Sequence, residues 1–263
     1  MTFNQQAAEF WDKETPRVMG DLRARPSAVE FLGDIKGKRV LDAGCGTGYV
    51  SRMLAAKGAE VYACDESEEM LEKARNNPSP LTKKINYLKE DITYCRNFEK
   101  DFFDGVILVG VLMYTANLDM IIGETNRILK PEGKLVVSVT HPYLYYESSP
   151  ARRERPYWLE LEENKFSPLT MATNMPVFSQ IYKDIDGKKF RAQVIDYPTQ
   201  DYKKAIIDNG FIIKKMKEIS SKKEDFIHPS WGTPEGYPAY LQFLATKETK
   251  WLLNYLKDNI LNL

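Results

Sequence analysis

The sequence predicts an α/β fold with a parallel, doubly wound sheet, and two observations carry that prediction. Short apolar runs alternate with helical patterns five times over about a hundred residues. The runs are apolar almost throughout, which fits strands buried on both faces of a sheet. A chain of 263 residues is long enough for one such domain with an insertion.

The predicted elements follow one another in a regular order. The first part looks helical up to about residue 37, with interruptions at Pro16 and Pro26. Strands are predicted at residues 38–43, 60–64, 85–89, 103–110 and 134–140. Helices are predicted at residues 49–57, 67–75 and 118–129, the last of them closed by a turn over residues 130–133.

The pattern breaks after the fifth strand. Residues 142–197 are rich in aromatic residues, charged residues and prolines, and two β-like runs there flank Asp186-Gly187, a hairpin signal. The α/β pattern resumes with a helix at 199–209 and strands at 211–219 and 238–246, which should pair antiparallel at one edge. A final helix is predicted at about 247–261.

Composition argues against several classes of protein. Lysine and arginine number 37, as do aspartate and glutamate, so no net charge draws the chain to nucleic acid or to an anionic membrane. Three cysteines, an odd number without zinc-site spacing, indicate a reducing compartment, and with only two histidines we expect no metal site. The first residues lack the pattern of a signal peptide, so we expect a cytoplasmic protein.

The most informative segment is residues 40–49, VLDAGCGTGY, in which a strand runs into three glycines and then a helix. Gly44, Gly46 and Gly48 allow a tight turn, and the helix start offers free N–H groups to a ligand. Asp42 precedes the turn; its carboxylate repels a pyrophosphate and favours an ammonium group. The spacing GxGxG and this acid both disfavour a dinucleotide-dependent dehydrogenase, whose turn reads GxGxxG.

This segment resembles motif I of the class I S-adenosylmethionine-dependent methyltransferases. Residues 102–107 resemble the family's fourth-strand motif, and residues 128–135 its helix–turn–strand signature, with Glu132 in place of a glycine. The resemblance is close over residues 37–141 and reaches about residue 246, and it points to the small-molecule, type 11-like subgroup. It implies a Rossmann-like, doubly wound, seven-stranded sheet with a reversed last strand, a lid inserted after strand five, and S-adenosylmethionine as the cofactor.

The resemblance also implies roles for acids that follow the next strands. Asp65 ends the second strand and is expected to accept from the ribose hydroxyls. Asp91 is expected to accept from the adenine amino group, and Ile92 to pack on the ring. Taken from the residues alone, each acid also fits a turn or a helix cap. The expected cofactor-binding residues are Asp42, Gly44, Cys45, Gly46, Gly48, Asp65, Glu66, Met70, Asp91, Ile92 and Val109.

The acceptor side is expected where the fifth strand ends. His141 emerges from a buried parallel strand at the end that faces the ligand crevice, so it is a candidate general base; the alternative is a histidine that caps the strand. Members of the subgroup commonly carry a histidine where this chain has Met113. The expected acceptor-contacting residues are Met113, Tyr114, His141, Tyr143, Tyr145 and Tyr146.

These observations divide the chain into four parts. We expect a helical cap over the cofactor at 1–36, the core at 37–141 and 198–246, a substrate lid at 142–197, and a C-terminal helix at 247–263. Three functions stay open: methyl transfer by in-line displacement to a small aromatic or amphipathic molecule, methyl transfer to transfer RNA or another nucleic acid, and cofactor binding without methyl transfer. We expect a monomer or homodimer with no membrane partner, and the zero net charge counts against nucleic acid.

Overall fold

The structure is a computed structural model that describes residues 8–9, 20–142, 177–183, 189–195, 197–220 and 238–249. Up to Pro142, strands and helices alternate. The strands are β1 (Arg39–Ala43), β2 (Glu60–Asp65), β3 (Ile85–Lys89), β4 (Phe103–Val109) and β5 (Leu129–Thr140). The helices are α1 (Arg25–Phe31), α2 (Tyr49–Ala56), α3 (Glu68–Asn76) and α4 (Leu118–Ile128).

The later part of the chain adds four strands and one helix within the described residues. They are β6 (Val177–Lys183), β7 (Lys189–Ile195), α5 (Thr199–Asp208), β8 (Phe211–Ser220) and β9 (Pro238–Lys247). Short turns of other helix types lie at Gly20–Ala24, Thr82–Lys84 and Leu112–Tyr114. No helix in these ranges combines the length and the apolarity needed to cross a bilayer.

Seven strands form one sheet in the order β3-β2-β1-β4-β5-β9-β8. Strands β1 to β5 are parallel to one another, whereas β9 runs antiparallel to both β5 and β8. The predicted doubly wound sheet with a reversed last strand is therefore confirmed, as is the antiparallel pair at the edge.

The core lies on both faces of this sheet. Val40 and Leu41 are adjacent in β1 and both fully buried, yet they belong to two different apolar clusters. Because successive side chains of a strand point to opposite faces, a strand covered on both sides must be apolar throughout. This is the physical reason that the strands stood out in the sequence as continuous apolar runs.

The predicted start of the fifth strand was wrong. Strand β5 begins at Leu129, where residue 134 was expected, because Leu129 already pairs with Phe103 before the register shifts. The predicted turn over 130–133 is an irregularity inside the strand, and Glu132 there has a φ of 63°. That left-handed backbone explains why glycine would suit the position better.

Two further boundaries differ from the prediction. Pro26 does not interrupt a helix but lies in the first turn of α1, where its missing N–H is not needed. Lys247 does not begin the final helix, since it pairs with Phe211 as the last residue of β9. Its ammonium donates to the Asp101 carboxylate and to the Leu129 carbonyl, both at 2.6 Å. Residues 250–263, which hold the rest of the predicted helix, lie outside the described residues.

Helix α1 is fastened to one face of the sheet by polar contacts along its length. Gln242 Nε2 donates to the Ala24 carbonyl at 2.6 Å, and Lys217 Nζ donates to Ser27 Oγ at 2.9 Å. Past the C-terminal end of the helix, Lys134 Nζ donates to the carbonyl of the next residue, Leu32, at 2.7 Å. These contacts hold the first residue of the helix, Arg25, near the glycine turn.

The antiparallel pairing expected within residues 142–197 is confirmed by β6 and β7, which pair from Val177 with Ile195 to Lys183 with Lys189. The Asp186-Gly187 turn itself lies outside the described residues. The end of β7 is anchored in the domain, because Val194 is fully buried and Tyr197 Oη donates to the Thr115 carbonyl at 2.9 Å.

Candidate active site

The glycine turn, the ends of the central strands and the segment after β5 meet at one edge of the sheet. Strands β3, β2, β1, β4 and β5 are parallel neighbours, so their carboxyl ends face the same way. In open α/β sheets the ligand crevice lies outside those ends. The predicted acids Asp42, Asp65 and Asp91 all lie at or just beyond them.

The first glycine of the turn is required by a close approach. Gly44 has a φ of 73°, and a Cβ atom there would lie 2.5 Å from Val111 Cγ2. The backbone N–H groups of Gly44 and Cys45 both donate to the Cys64 carbonyl, at 2.8 and 2.9 Å. These bonds tie the turn to the end of β2 and bring it against the segment that follows β4.

The second glycine faces open space. Gly46 has a φ of 53°, and a Cβ atom there would meet nothing within 4 Å. Its N–H donates to Asp65 Oδ2 at 2.8 Å. At Gly46 the turn therefore exposes its backbone to the crevice, and the hydrogen bond to Asp65 fixes that backbone in place. A ligand can approach closely at this point.

Asp65 connects the turn to the start of α3. Its second oxygen, Oδ1, accepts from the Ser67 N–H at 3.0 Å, and Ser67 Oγ in turn accepts from the Met70 N–H at 3.2 Å. Burial raises the pKa of the Asp65 carboxyl, although both backbone bonds favour the charged form. A carboxylate has about four lone-pair sites, so the backbone bonds from Ser67, Gly46 and Glu66 leave Asp65 able to accept from a hydroxyl donor as well.

Asp42 is buried beneath the turn. Its Oδ2 accepts from Ser51 Oγ, in the first turns of α2, at 2.5 Å. Burial raises the pKa of this carboxyl to about 6, opposed by the Ser51 bond and by the positive charge of Arg25. The turn thus has an acid on either side, a poor environment for a pyrophosphate and a good one for a cationic ligand.

Arg25 is a site residue that the sequence analysis missed. Its guanidinium carbon lies 5.4 Å from the centre of the Tyr49 ring, at the start of α2. Burial lowers the pKa of Arg25, opposed by electrostatic contact with the hydroxyl groups of Tyr240 and Tyr49 and with Asp42. Arg25 precedes Asp42 by 17 positions in the sequence, and no local pattern marks it.

The residues expected at the adenine end are open to solvent to different degrees. Asp91 is exposed, and its Oδ1 accepts from the Thr93 N–H at 2.8 Å, as in a turn. Ile92 is half-buried and packs against the larger core cluster. The neighbouring Glu90 is buried instead, with Oε2 accepting from the Asn97 N–H and side-chain amide at 2.9 and 2.6 Å.

Four other predicted cofactor residues lie around the turn or at the ends of neighbouring elements. Cys45 is buried, and burial raises the pKa of its thiol well above the ordinary value, so it is an inert filler. Met70 is buried in the first turn of α3, whereas Glu66 is exposed. Val109 is half-buried at the end of β4 and packs against the cluster beneath α1.

The acceptor side begins with the short turn Leu112–Tyr114. Met113 is buried there against Val194 of β7 and Tyr114. Thr140 Oγ1, at the end of β5, lies 3.8 Å from Met113 Sδ. The contact between Met113 and Val194 joins the end of β7 to the turn that follows β4. Tyr143, Tyr145 and Tyr146 lie outside the described residues.

His141 follows β5 directly and is almost wholly buried, with 1% of its surface exposed. Its N–H donates to the Ala239 carbonyl at 2.8 Å, which continues the pairing with β9. Its Nε2 lies 3.3 Å from Glu218 Oε1 on β8. Burial lowers the pKa of the imidazole, while Glu218 acts in the opposite direction, so the ring is neutral near pH 7.

The part of the chain that carries the glycine turn and the three acids matches a known family. Residues 41–137 match the model of a family described as "Methyltransferase domain". The chain contains a class I S-adenosylmethionine-dependent methyltransferase domain. That domain holds the glycine turn, the three acids and all the strands from β1 to most of β5.

Two similar proteins extend the comparison beyond this stretch. A ubiquinone biosynthesis O-methyltransferase of Xanthomonas oryzae is 31% identical over 140 residues, which are 52% of this chain and 58% of that protein. The chain thus spans less than two thirds of the curated relative. A candidate S-adenosylmethionine-dependent methyltransferase of Listeria monocytogenes is 25% identical, with a TM-score of 0.62 over 85% of this chain and 96% of that one.

The methyltransferase domain also shares its fold with a protein of different chemistry. The cyclase SpnF has a TM-score of 0.61 and 17% identity, over 93% of this chain and 97% of its own. At that identity the likeness concerns the fold alone. The assignment of a reaction must therefore come from the residues of the site.

Among the described residues, histidine, cysteine, aspartate and glutamate form no group of three or more that could hold a metal ion. The chemistry available at the site is that of carboxylates, hydroxyls, a guanidinium and one imidazole. These groups bind and orient ligands and move protons.

Proposed function

We propose that this protein transfers a methyl group from S-adenosylmethionine to a small molecule that bears an aromatic hydroxyl. The observation that carries the proposal is the glycine turn with an acid on each side, the buried Asp42 and the half-buried Asp65. Such a turn repels a pyrophosphate but suits a cofactor with an ammonium group, a sulfonium and a ribose diol. The open space in front of Gly46 leaves room for it.

Each end of the cofactor has a matching group in this proposal. Asp65 accepts from a ribose hydroxyl through its remaining lone pair. Asp91 accepts from the adenine amino group beside Ile92. At the methionine end Asp42 favours the ammonium, and Arg25, which lies beside Asp42 and Tyr49, binds the carboxylate.

S-adenosylmethionine supplies an electrophilic methyl group on a sulfonium, so the chain itself needs no metal or covalent nucleophile. What the residues contribute is alignment of the acceptor with the methyl, which can lower the barrier by several kcal/mol. Met113 and Tyr114 bound the space at the end of β4, and His141 stands at the end of β5. We assign His141 the role of accepting or orienting the acceptor's hydroxyl proton.

The acceptor class rests on two supports. Residues 142–197, whose β7 end packs against Met113, are rich in tyrosine, tryptophan and phenylalanine, which suits an aromatic molecule. The curated relative from Xanthomonas oryzae is named for O-methylation in ubiquinone biosynthesis. Within this proposal, residues 142–197 form the lid that selects the acceptor.

The cofactor part is tested with Asp65→Asn, which keeps the shape of the side chain but loses its charge and one acceptor. We expect affinity for S-adenosylhomocysteine to fall by about 1–3 kcal/mol, the scale of lost hydrogen bonds to a charged group. The matched control is Glu60→Gln, at the other end of the same strand, which should bind as the wild type does. Equal affinity in Asp65→Asn and the control removes Asp65 from the site.

The acceptor part is tested by methyl transfer from labelled S-adenosylmethionine to a panel of phenols, aliphatic amines and bulk transfer RNA. We expect label in the phenols, with His141→Gln reducing turnover by about 10²–10⁴ if it is a base. Label in transfer RNA alone would favour the nucleic-acid alternative. Full activity of His141→Gln with lowered thermal stability would leave His141 a structural role only.

A further inference from the structure

Arg127, near the end of helix α4, reaches back to the loop that follows β3. Its Nη1 donates to the Phe98 carbonyl and its Nη2 to the Cys95 carbonyl, both at 3.0 Å. These partners lie 29 and 32 positions away in the sequence. Its Nε donates to the Glu124 carboxylate at 2.9 Å, one turn earlier in the same helix. The guanidinium therefore joins the helix to the loop through three nitrogen atoms.

The helix end that carries Arg127 is itself fixed to the sheet. The Arg127 carbonyl accepts from the Asp101 N–H at 3.0 Å, and the Ile128 carbonyl accepts from the Phe102 N–H at 2.8 Å. The ion pair with Glu124 orients the guanidinium, whose planar fork can bind two acceptors at once. Arg127 can thus hold the loop from a rigid support.

The loop that Arg127 holds carries Asp91 and Ile92. Cys95 contacts both residues, since its N–H donates to the Asp91 carbonyl at 3.0 Å and its thiol to the Ile92 carbonyl at 3.4 Å. The Tyr94 N–H also donates to the Asp91 carbonyl, at 3.0 Å. Cys95 has a φ of 43°, a left-handed backbone that residues with a Cβ rarely adopt. Such a conformation persists where surrounding contacts hold it, and the bond from Arg127 is one of them.

The near end of the loop is anchored separately, beside the glycine turn. The Glu90 N–H donates to the Asp65 carbonyl at 3.1 Å. The Glu90 carboxylate accepts from the N–H and the side-chain amide of Asn97, at 2.9 and 2.6 Å, which closes the loop on itself. Glu90 therefore fixes where the loop leaves β3, and Arg127 fixes its far side. The position of Asp91 relative to Asp65 depends on both anchors.

We propose that Arg127 is a positioning residue for recognition of the cofactor's base. By holding two loop carbonyls it keeps Asp91 and Ile92 in the place where they meet the adenine ring. It thereby sets the preference of the site for a purine that bears an amino group. This inference rests on the proposed function, in which Asp91 accepts from the adenine amino group.

The preference is measured by comparing the Kd of S-adenosylhomocysteine with that of S-inosylhomocysteine, in which an oxygen replaces the amino group. An ionised Asp91 accepts from the amino group but faces a second acceptor in the inosine ligand. We expect the wild type to favour the adenosine ligand by about 10- to 100-fold. In Arg127→Met this ratio should fall by about fivefold or more, because the displaced carboxylate no longer distinguishes the two bases.

The ratio separates positioning from a purely structural role. If Arg127 only stabilised the fold, its loss would lower the folded fraction and weaken both ligands by the same factor, so the ratio would not change. Arg127→Lys keeps the charge beside Glu124 but lacks the two-nitrogen fork, and its ratio should also fall. It serves as a second variant if Arg127→Met does not fold. The matched control is Arg75→Met, a similarly exposed arginine paired with Glu68 in α3, which should keep the wild-type ratio.

Amide hydrogen exchange gives a second measurement that needs no ligand. The N–H groups of Tyr94 and Cys95 should exchange about tenfold faster or more in Arg127→Lys than in the wild type, because the loop opens more often. The Met70 N–H, which bonds to Ser67 Oγ at the start of α3, should keep its rate. Unchanged exchange of the loop amides overturns the proposal, as does an unchanged Kd ratio in both Arg127 variants.

Failure of the proposed function has a different signature, which the wild type alone reveals. A folded wild type that does not bind S-adenosylhomocysteine refutes the proposed function before any variant is compared. A wild type that binds it with the expected preference, while the Arg127 variants keep that preference, refutes only the role of Arg127.

Discussion

The carboxyl of Asp42 is buried next to Ser51, and burial raises its pKa to about 6. In the free protein the charged form is disfavoured by burial. A ligand ammonium beside it would favour the charged form again, so binding and ionisation are coupled.

We therefore expect affinity for S-adenosylhomocysteine to rise with pH up to about 6 and to level off above it, by at most tenfold per pH unit for one proton. The ligand's own α-amino and α-carboxyl groups titrate above and below this window, so they do not produce the effect. Calorimetric titration between pH 5 and 7.5 measures the effect. Asp42→Asn should weaken binding and flatten the profile; a mutant with the wild-type slope would assign the titration to another group.

The raised pKa of Asp42 also makes the free energy of unfolding depend on pH in a definite direction. Its folded-state pKa is raised above the unfolded value of 3.8, so its favourable contribution is present below about pH 4 and is lost as pH rises to about 6. The free energy of unfolding of the wild type, relative to Asp42→Asn, should decline across that window. Because the other carboxyls titrate in both proteins, their contributions cancel when the two free energies of unfolding are subtracted. The remaining pH dependence is that of Asp42.

Gly44 shows how a close approach restricts the sequence at a single residue. We expect Gly44→Ala to destabilise the domain by about 2–4 kcal/mol, from left-handed backbone and from overlap with Val111 Cγ2 at 2.5 Å. Val111→Ala removes the overlapping atoms but not the backbone strain. The double mutant should therefore be more stable than the sum of the single effects predicts, as urea unfolding would show. Strict additivity would mean that the turn and Val111 do not meet.

Individual residues were predictable where the chemistry lies in a short stretch of sequence. Asp42 and the glycines adjoin one another, and Asp65 ends the next strand, so their meeting follows from two neighbouring parallel strands. Arg25 and Glu218 were not predictable in this way. Arg25 reaches the turn only because α1 is fastened to the sheet, and Glu218 reaches His141 only because β9 places β8 two strands from β5.

At the scale of elements, the end of β7 belongs to the core. Val194 is fully buried and Tyr197 bonds to the Thr115 carbonyl, so a deletion that removed them would disturb the domain itself. A replacement that spares these two residues and the buried Pro142 is confined to residues 143–193.

We expect replacement of residues 143–193 by a Gly/Ser linker to leave affinity for S-adenosylhomocysteine within about tenfold, or roughly 1.4 kcal/mol, and to abolish methyl transfer. The reason is that the cofactor groups Asp42, Asp65 and Asp91 all lie in β1–β3 and their loops. Calorimetry and the labelled-methyl assay on the same protein measure both effects. A folded variant that no longer binds the ligand would place the segment in the cofactor site instead.

Elements were predicted well where burial on both faces makes a strand apolar, as in β1 and β4. The errors lie where partners distant in sequence extend an element. β5 begins early because Leu129 pairs with Phe103, and Lys247 stays in β9 because it pairs with Phe211. Such pairings depend on strand order, which local propensity does not contain.

At the scale of the whole molecule, the strand order β3-β2-β1-β4-β5-β9-β8 brings distant parts of the sequence to one edge of the sheet. The order changes direction at β1 and β4, where the glycine turn and Val111 meet, and a ligand crevice is expected at such a point. The reversed strand β9 lies between β5 and β8 and so brings Glu218 of β8 within 3.3 Å of His141, which follows β5.

The proposed function requires that this crevice hold S-adenosylmethionine and not a dinucleotide. Isothermal titration of the full chain with S-adenosylhomocysteine, and separately with NAD, tests it most directly. We predict micromolar affinity for S-adenosylhomocysteine, with a matching rise in melting temperature by mass action, and no measurable heat with NAD. Binding of NAD with comparable affinity, or no binding of S-adenosylhomocysteine by the folded protein, would contradict the claim.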